Sequence, residues 1–190
     1  MRKIFFLSTV MLFAWFTPCF AQGPYLGAGF VYNNPLGGDI AYLDPGFGLN
    51  FTFGYDFGPV ALEGNLMGSE HDDRDPGYGD ADFSGLSLDL RIFLSHPDDR
   101  NQIYLLTGIG SYSIDEYSPV FNADTELNGS GWNFGAGLEH YVNTNAAVHV
   151  GFIYRLIRYD EFEVGNVVYE RDFHDDGDTL SFQAGFNFYF

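Results

Sequence analysis

From Phe47 the chain alternates strictly. Phe47, Leu49, Phe51, Phe53, Tyr55 and Phe57 fall on one face, and Gly48, Asn50, Thr52, Gly54 and Asp56 on the other. The C-terminal stretch repeats the pattern, with Leu180, Phe182, Ala184, Phe186, Phe188 and Phe190 set against Thr179, Ser181, Gln183, Gly185, Asn187 and Tyr189. A shared face at every second residue is the period of a β-strand. Similar runs cover about 24–32, 59–68, 83–94, 102–113, 131–142 and 147–158, so the pattern predicts eight strands and no helix.

The gaps between these runs also alternate. Long polar stretches near 33–45, 69–82, 114–130 and 159–178 follow the odd-numbered strands. Brief ones around Gly58-Pro59, Ser95–Asn101 and Asn143–Ala146 follow the even-numbered strands. Long loops at one end and short turns at the other are the plan of a transmembrane β-barrel. Each run is close to the ~9–11 residues that cross a bilayer at a tilt.

A soluble barrel would turn its apolar face inward, and volume argues against that here. An eight-stranded barrel has an interior just wide enough for side chains to fill. Two strands alone would send Phe47, Phe51, Phe53, Tyr55, Phe57, Phe182, Phe186 and Phe188 into it. The opposite face carries Gly27, Gly29, Gly48, Gly54, Gly135, Gly137, Gly151 and Gly185, which suits a narrow lumen. The bulky face is therefore expected to meet lipid.

Composition narrows the function. A net charge of −18 excludes a sequence-independent nucleic-acid role, because phosphate binding needs a basic face. A single Cys cannot form a disulfide within its own chain. Residues 1–21 follow the plan of a secretory leader: Arg2 and Lys3, an apolar core from Ile4 to Phe16, and small residues at Cys19 and Ala21 before a cut at Gln22. The expected division is a cleaved signal peptide over 1–21 and a single barrel domain over 22–190.

The predicted strands, the Gly-rich first run Tyr25-Leu26-Gly27-Ala28-Gly29-Phe30 and the terminal Phe186-Asn187-Phe188-Tyr189-Phe190 resemble the OmpA/OmpX-type outer-membrane barrel. The resemblance covers the whole chain after the leader. It implies an all-β, eight-stranded antiparallel up-and-down barrel in the outer membrane, with long acidic outer loops and short periplasmic turns. It also implies that Phe186, Phe188 and Phe190 form the signal read by the outer-membrane assembly machinery. The chain stops at Phe190, so the peptidoglycan-tethering role of larger members is not expected.

Alternation places Glu63, Asp89, Arg91, Glu139, His149 and Arg155 in the lumen, where buried charges must be paired. Glu139 and His149 flank the turn near Thr144 symmetrically, so they are expected to face each other across that hairpin. The resemblance implies a gate in which acidic and basic lumen residues exchange partners. Glu63, Arg91 and Glu139 match three of those positions, while His149 stands where the family member has arginine. The blander reading is an ion-pair plug that holds the barrel together.

Most of the 26 acidic residues fall in the predicted outer loops, which twice carry a His-Asp-Asp triplet, at His71-Asp72-Asp73 and His174-Asp175-Asp176. Carboxylates with His can ligate divalent ions, but no calcium-loop spacing is present, so loose divalent cations are expected rather than a metal site. A lipid-modifying enzyme needs a nucleophile and base on the lipid-facing wall. His140 is the lone strand His on that face and has no evident Ser partner. The expectation is a non-enzymatic structural or surface-interaction barrel without cofactor or metal, whose lumen is plugged by ion pairs. Its expected partners are outer-membrane lipids, lipopolysaccharide and the assembly machinery. A lipid-modifying enzyme and a narrow gated channel are the alternatives.

Overall fold

The computed structural model describes residues 23–38, 40–72, 80–96, 99–118, 123–165 and 167–190, and over 169–175 the backbone. The leader expected over 1–21 lies outside them. The described residues form β1 (Gly23–Gly38), β2 (Gly46–Asp56), β3 (Val60–His71), β4 (Ala81–Phe93), β5 (Asn101–Ser118), β6 (Ala123–Asn143), β7 (Ala146–Val164) and β8 (Val167–Tyr189). Each strand pairs antiparallel with its neighbour in sequence, and β1 pairs with β8, so the sheet closes on itself. The barrel is up-and-down, as the alternating gaps predict.

The faces follow the alternation. Phe30, Phe47, Phe51, Phe53, Phe182, Phe186 and Phe190 stand exposed on the outside, with Leu, Ile and Trp132 between them. The lumen holds aromatic residues as well, mostly tyrosines rather than the outward phenylalanines, and wall glycines make room for them. A Cβ on Gly85 or Gly110 would lie 2.6 or 2.5 Å from the side chain of Tyr112, and one on Gly137 2.3 Å from the Tyr104 hydroxyl.

At the short-turn end, Gly58 adopts φ +96° and donates its N–H to Asp56 Oδ1 at 2.6 Å. Only glycine takes that conformation without strain. Asn145 closes the last short turn by donating to the Tyr189 carbonyl at 3.1 Å and accepting the Tyr189 N–H at 2.8 Å.

The other end departs from expectation. Apart from the turn at Gly165, the described residues of 114–130 and 159–178 are strand: β5, β6, β7 and β8 run 18, 21, 19 and 23 residues, far beyond the ~9–11 that span a bilayer. Backbone ladders such as Asp115↔Glu126 and Glu126↔Glu163 hold this extension. Its inner face stays buried at Ile114, Ser118, Thr125 and Tyr159, but small polar residues share that face while Tyr117 points outward, so the stretch carries no apolar alternation and reads as loop.

Candidate functional site in the barrel lumen

The half of the lumen near the short turns is organised around Arg91. Its Nε lies 2.7 Å from Glu63 Oε2 and its Nη1 3.1 Å from Glu139 Oε2, and all three residues are buried. The guanidinium sits 4.5 Å from the centroid of the Tyr104 ring, a cation–π distance. The remaining carboxylate lone pairs are filled by neutral donors. Tyr25 OH donates to Glu63 at 2.7 Å and Asn65 Nδ2 at 2.9 Å, while Tyr189 OH donates to Glu139 at 2.5 Å and Asn187 Nδ2 at 3.0 Å. A buried pair with this coverage is costly to break, at about 3–5 kcal/mol when one partner is removed.

Among the described residues, Asp89 has no arginine partner. It accepts from Ser87 Oγ at 2.6 Å, Asn133 Nδ2 at 2.7 Å and Asn65 Nδ2 at 3.0 Å. Gly108, opposite Asp89 in the β4–β5 register, lets the carboxylate cross to Asn133, since a Cβ there would sit 2.0 Å from Asp89 Oδ1. Arg155 donates to Ser181 Oγ and lies 5.8 Å from the Tyr112 ring centroid. No carboxylate ion pair to Arg155 occurs among the described residues.

His149 stands opposite Glu139 in the β6–β7 register, the neighbour its symmetry about Thr144 predicts. The side chains do not meet in a hydrogen bond, because Glu139 turns to Arg91, Tyr189 and Asn187 while both ring nitrogens of His149 are buried without a partner. Of the predicted lumen residues, then, Glu63, Arg91 and Glu139 form one cluster and Asp89 joins it through Asn65. Arg155 and His149 stand apart from it. The tyrosines and asparagines that complete the cluster escaped the sequence reading, although inward parity at Tyr25, Tyr104 and Tyr189 marks them.

The opposite half is built differently. Ile40 and Leu43, from the connection between β1 and β2, are buried in the barrel mouth with Val31, Met67, Phe83 and Ile114. Beside them runs a polar chain. His71 Nδ1 meets the Asp44 carbonyl at 2.8 Å, His71 Nε2 meets Ser69 Oγ at 2.8 Å, and Ser181 Oγ donates to Asn33 Oδ1 at 2.7 Å. Contact with the Asp44 carbonyl makes Nδ1 the donor, which leaves Nε2 to accept from Ser69. The pair has the hydroxyl–imidazole geometry of an activated nucleophile, but both residues are buried inside the barrel rather than on its lipid face.

His71 is thus the last, lumen-facing residue of β3 at its outer end and not a loop-tip metal ligand. Asp73 and the side chains of His174 and Asp175 lie outside the described residues. Among the described residues, no group of three or more His, Cys, Asp and Glu could hold a metal ion. The outer surface of the extension carries a row of directly opposed acids, Glu70, Asp82, Asp115, Glu126 and Glu163, running across β3 to β7.

Residues 8–190 match the model of the outer membrane protein beta-barrel domain. The chain belongs to that family of outer-membrane β-barrels. Solved structures agree on the fold. Neisserial surface protein A aligns with a TM-score of 0.67 at 14% identity, over 89% of this chain and 98% of that one. Ail, the attachment invasion locus protein of Yersinia pestis, gives 0.56 at 16% identity, over 89% and 99%. The N-terminal β-barrel domain of Pseudomonas aeruginosa OprF gives 0.51 at 18%, over 88% and 98%. No curated protein matches the chain. The family indicates an outer-membrane location, so the short turns lie on the periplasmic side and the extension faces outward.

Proposed function

We propose that this outer-membrane barrel is a non-enzymatic structural and surface-interaction protein whose lumen does not conduct. The observation that carries this reading is the bridge of Arg91 between Glu63 and Glu139, which ties β4 to β3 and β6 inside the lumen. Tyr25, Tyr104 and Tyr189 fill the space around it. Removal of a 1–21 signal peptide delivers the chain to the periplasm. Phe186, Phe188 and Phe190, all on the outward face of β8 and the chain end, present the assembly machinery with its aromatic signal. The apolar belt takes outer-membrane lipids and lipopolysaccharide, and the acidic rim attracts divalent cations loosely, since exposed carboxylates are screened by salt.

The test is conductance of purified protein in planar lipid bilayers. Silence, or rare narrow openings, fits the closed lumen. Steady porin-like current contradicts it.

A further inference from the structure

The connection between β1 and β2 does not arch away from the barrel; it turns back into the mouth. Ile40 and Leu43 are 0% and 1% exposed there. A tight turn joins them, with Leu43 N–H donating to the Ile40 carbonyl at 3.2 Å and Ala41 N–H to the Gly38 carbonyl at 3.4 Å. From that turn Tyr42 reaches across to β5, where its hydroxyl donates to Glu116 Oε2 at 2.8 Å. The far end is tied to β3 and its exit by the His71–Asp44 carbonyl bond and by Asp44 N–H to the Asp72 carbonyl, both 2.8 Å.

Both ends of this segment are built to bend. On one side β1 shifts register between Pro35 and Gly37, and Gly38 adopts φ +73°. On the other, Pro45 precedes Gly46, where β2 begins. Beneath the segment lies the buried polar column of His71, Ser69, Asn33, Ser181 and Arg155. Ile40 covers its β8 side, since a Cβ on Gly177 would sit 3.0 Å from Ile40 Cδ1. Thr179, the next lumen-facing residue along β8, is 0% exposed and its hydroxyl has no partner.

We infer that residues 40–44 are a strap closing the outer mouth of the barrel. Its release, rather than an exchange of partners by Arg91, opens the polar column to the outside. Apolar insertion of Ile40 and Leu43 holds it shut, and the glycines beside it let it swing as a unit. The inference rests on the closed-lumen reading and assigns the outer barrier to particular residues.

Thr179→Cys reports on this directly, because the hydroxyl it removes makes no hydrogen bond. Folded protein in lipid nanodiscs is exposed to a small water-soluble methanethiosulfonate, with and without the Ile40→Asp/Leu43→Asp pair. The expected result is slow labelling behind the native strap and labelling at least about tenfold faster behind the charged one, given the apolar burial lost. Tyr42→Phe, which removes only the hydroxyl that bonds Glu116, should give a smaller acceleration and serves if the charged pair fails to insert. Equally slow labelling in every strap variant that inserts overturns the strap and leaves the closed lumen standing. Fast labelling behind the native strap also overturns the strap; the closed lumen then rests on the Arg91 bridge alone and falls only to steady current in the planar bilayer.

Discussion

The two halves of the lumen fill the same narrow space around different centres, an ion-pair network in one and an apolar cluster in the other. Near the periplasmic turns, Arg91 is held by two carboxylates, and those by tyrosines and asparagines. Toward the outside, Ile40, Leu43, Phe83, Ile114 and Ile157 form an apolar cluster, part of it supplied by a connection rather than by a strand. A polar network is directional and collapses when one member is lost, because the others stay buried and unpaired. An apolar plug loses in proportion to the surface removed. The inner half therefore fixes the barrel wall, while the outer half can yield without dismantling it.

The largest effect expected from this contrast is at Arg91. Arg91→Leu leaves Glu63 and Glu139 buried without their cation, and urea unfolding in lipid vesicles should show a loss of about 3–5 kcal/mol. Arg155→Leu should cost less, about 1–3 kcal/mol, because Arg155 has a hydroxyl partner and no carboxylate to strand. Equal losses at the two arginines would dissolve the distinction between them.

Next comes the strap. Leu43→Ala should cost about 2 kcal/mol, the low end for a buried leucine because a strap can settle into the space. The double variant with Arg91→Leu should be additive within about 0.5 kcal/mol, since the two sites share no partner. A larger coupling in the same unfolding assay means that the halves form one unit.

His149 gives a smaller effect. Its ring nitrogens are buried without partners, so His149→Leu removes desolvated polar atoms without breaking a hydrogen bond. Unfolding should move by less than about 1 kcal/mol, in either direction. A loss on the scale of Arg91→Leu would show that His149 belongs to the ion-pair network after all.

The smallest effect lies outside the membrane. Asp115 is held above the usual carboxylate range, by burial first and then by the opposed carboxylates of Glu126 and Asp82. A raised folded-state value means that the native extension binds the proton more tightly than the unfolded chain. The carboxyl thus favours the extension at low pH and ceases to do so as pH rises through its folded value. Asp82→Asn should lower the Asp115 midpoint in a carboxyl NMR titration; an unchanged midpoint removes Asp82 as a cause.

Period-two alternation made the strand number, the outward aromatic face and the lumen position of Glu63, Arg91 and Glu139 legible, because one face meets lipid and the other a crowded interior. Three features were hidden, each for a physical reason. The inner face of β5 and β6 stays buried far out but is polar at Ser118 and Thr125, while Tyr117 faces outward, so Asp115-Glu116-Tyr117 and Asp124-Thr125-Glu126 carry no strand period. Ile40 and Leu43 lie in a short turn among Gly, Asp and Pro, where apolar residues have no period to betray burial. Register places His149 beside Glu139, but register does not say that an arginine from β4 reaches Glu139 instead.

Two barriers in series shut the lumen, and planar-bilayer recording of a four-way variant set separates their contributions. The set is the native protein, the strap variant Ile40→Asp/Leu43→Asp, the network variant Glu63→Gln/Arg91→Gln, and their combination. With either barrier intact the lumen should stay shut, so only the combined variant should carry steady current. Steady current from the network variant alone would mean that the strap is no barrier and that the lumen is closed only at Arg91.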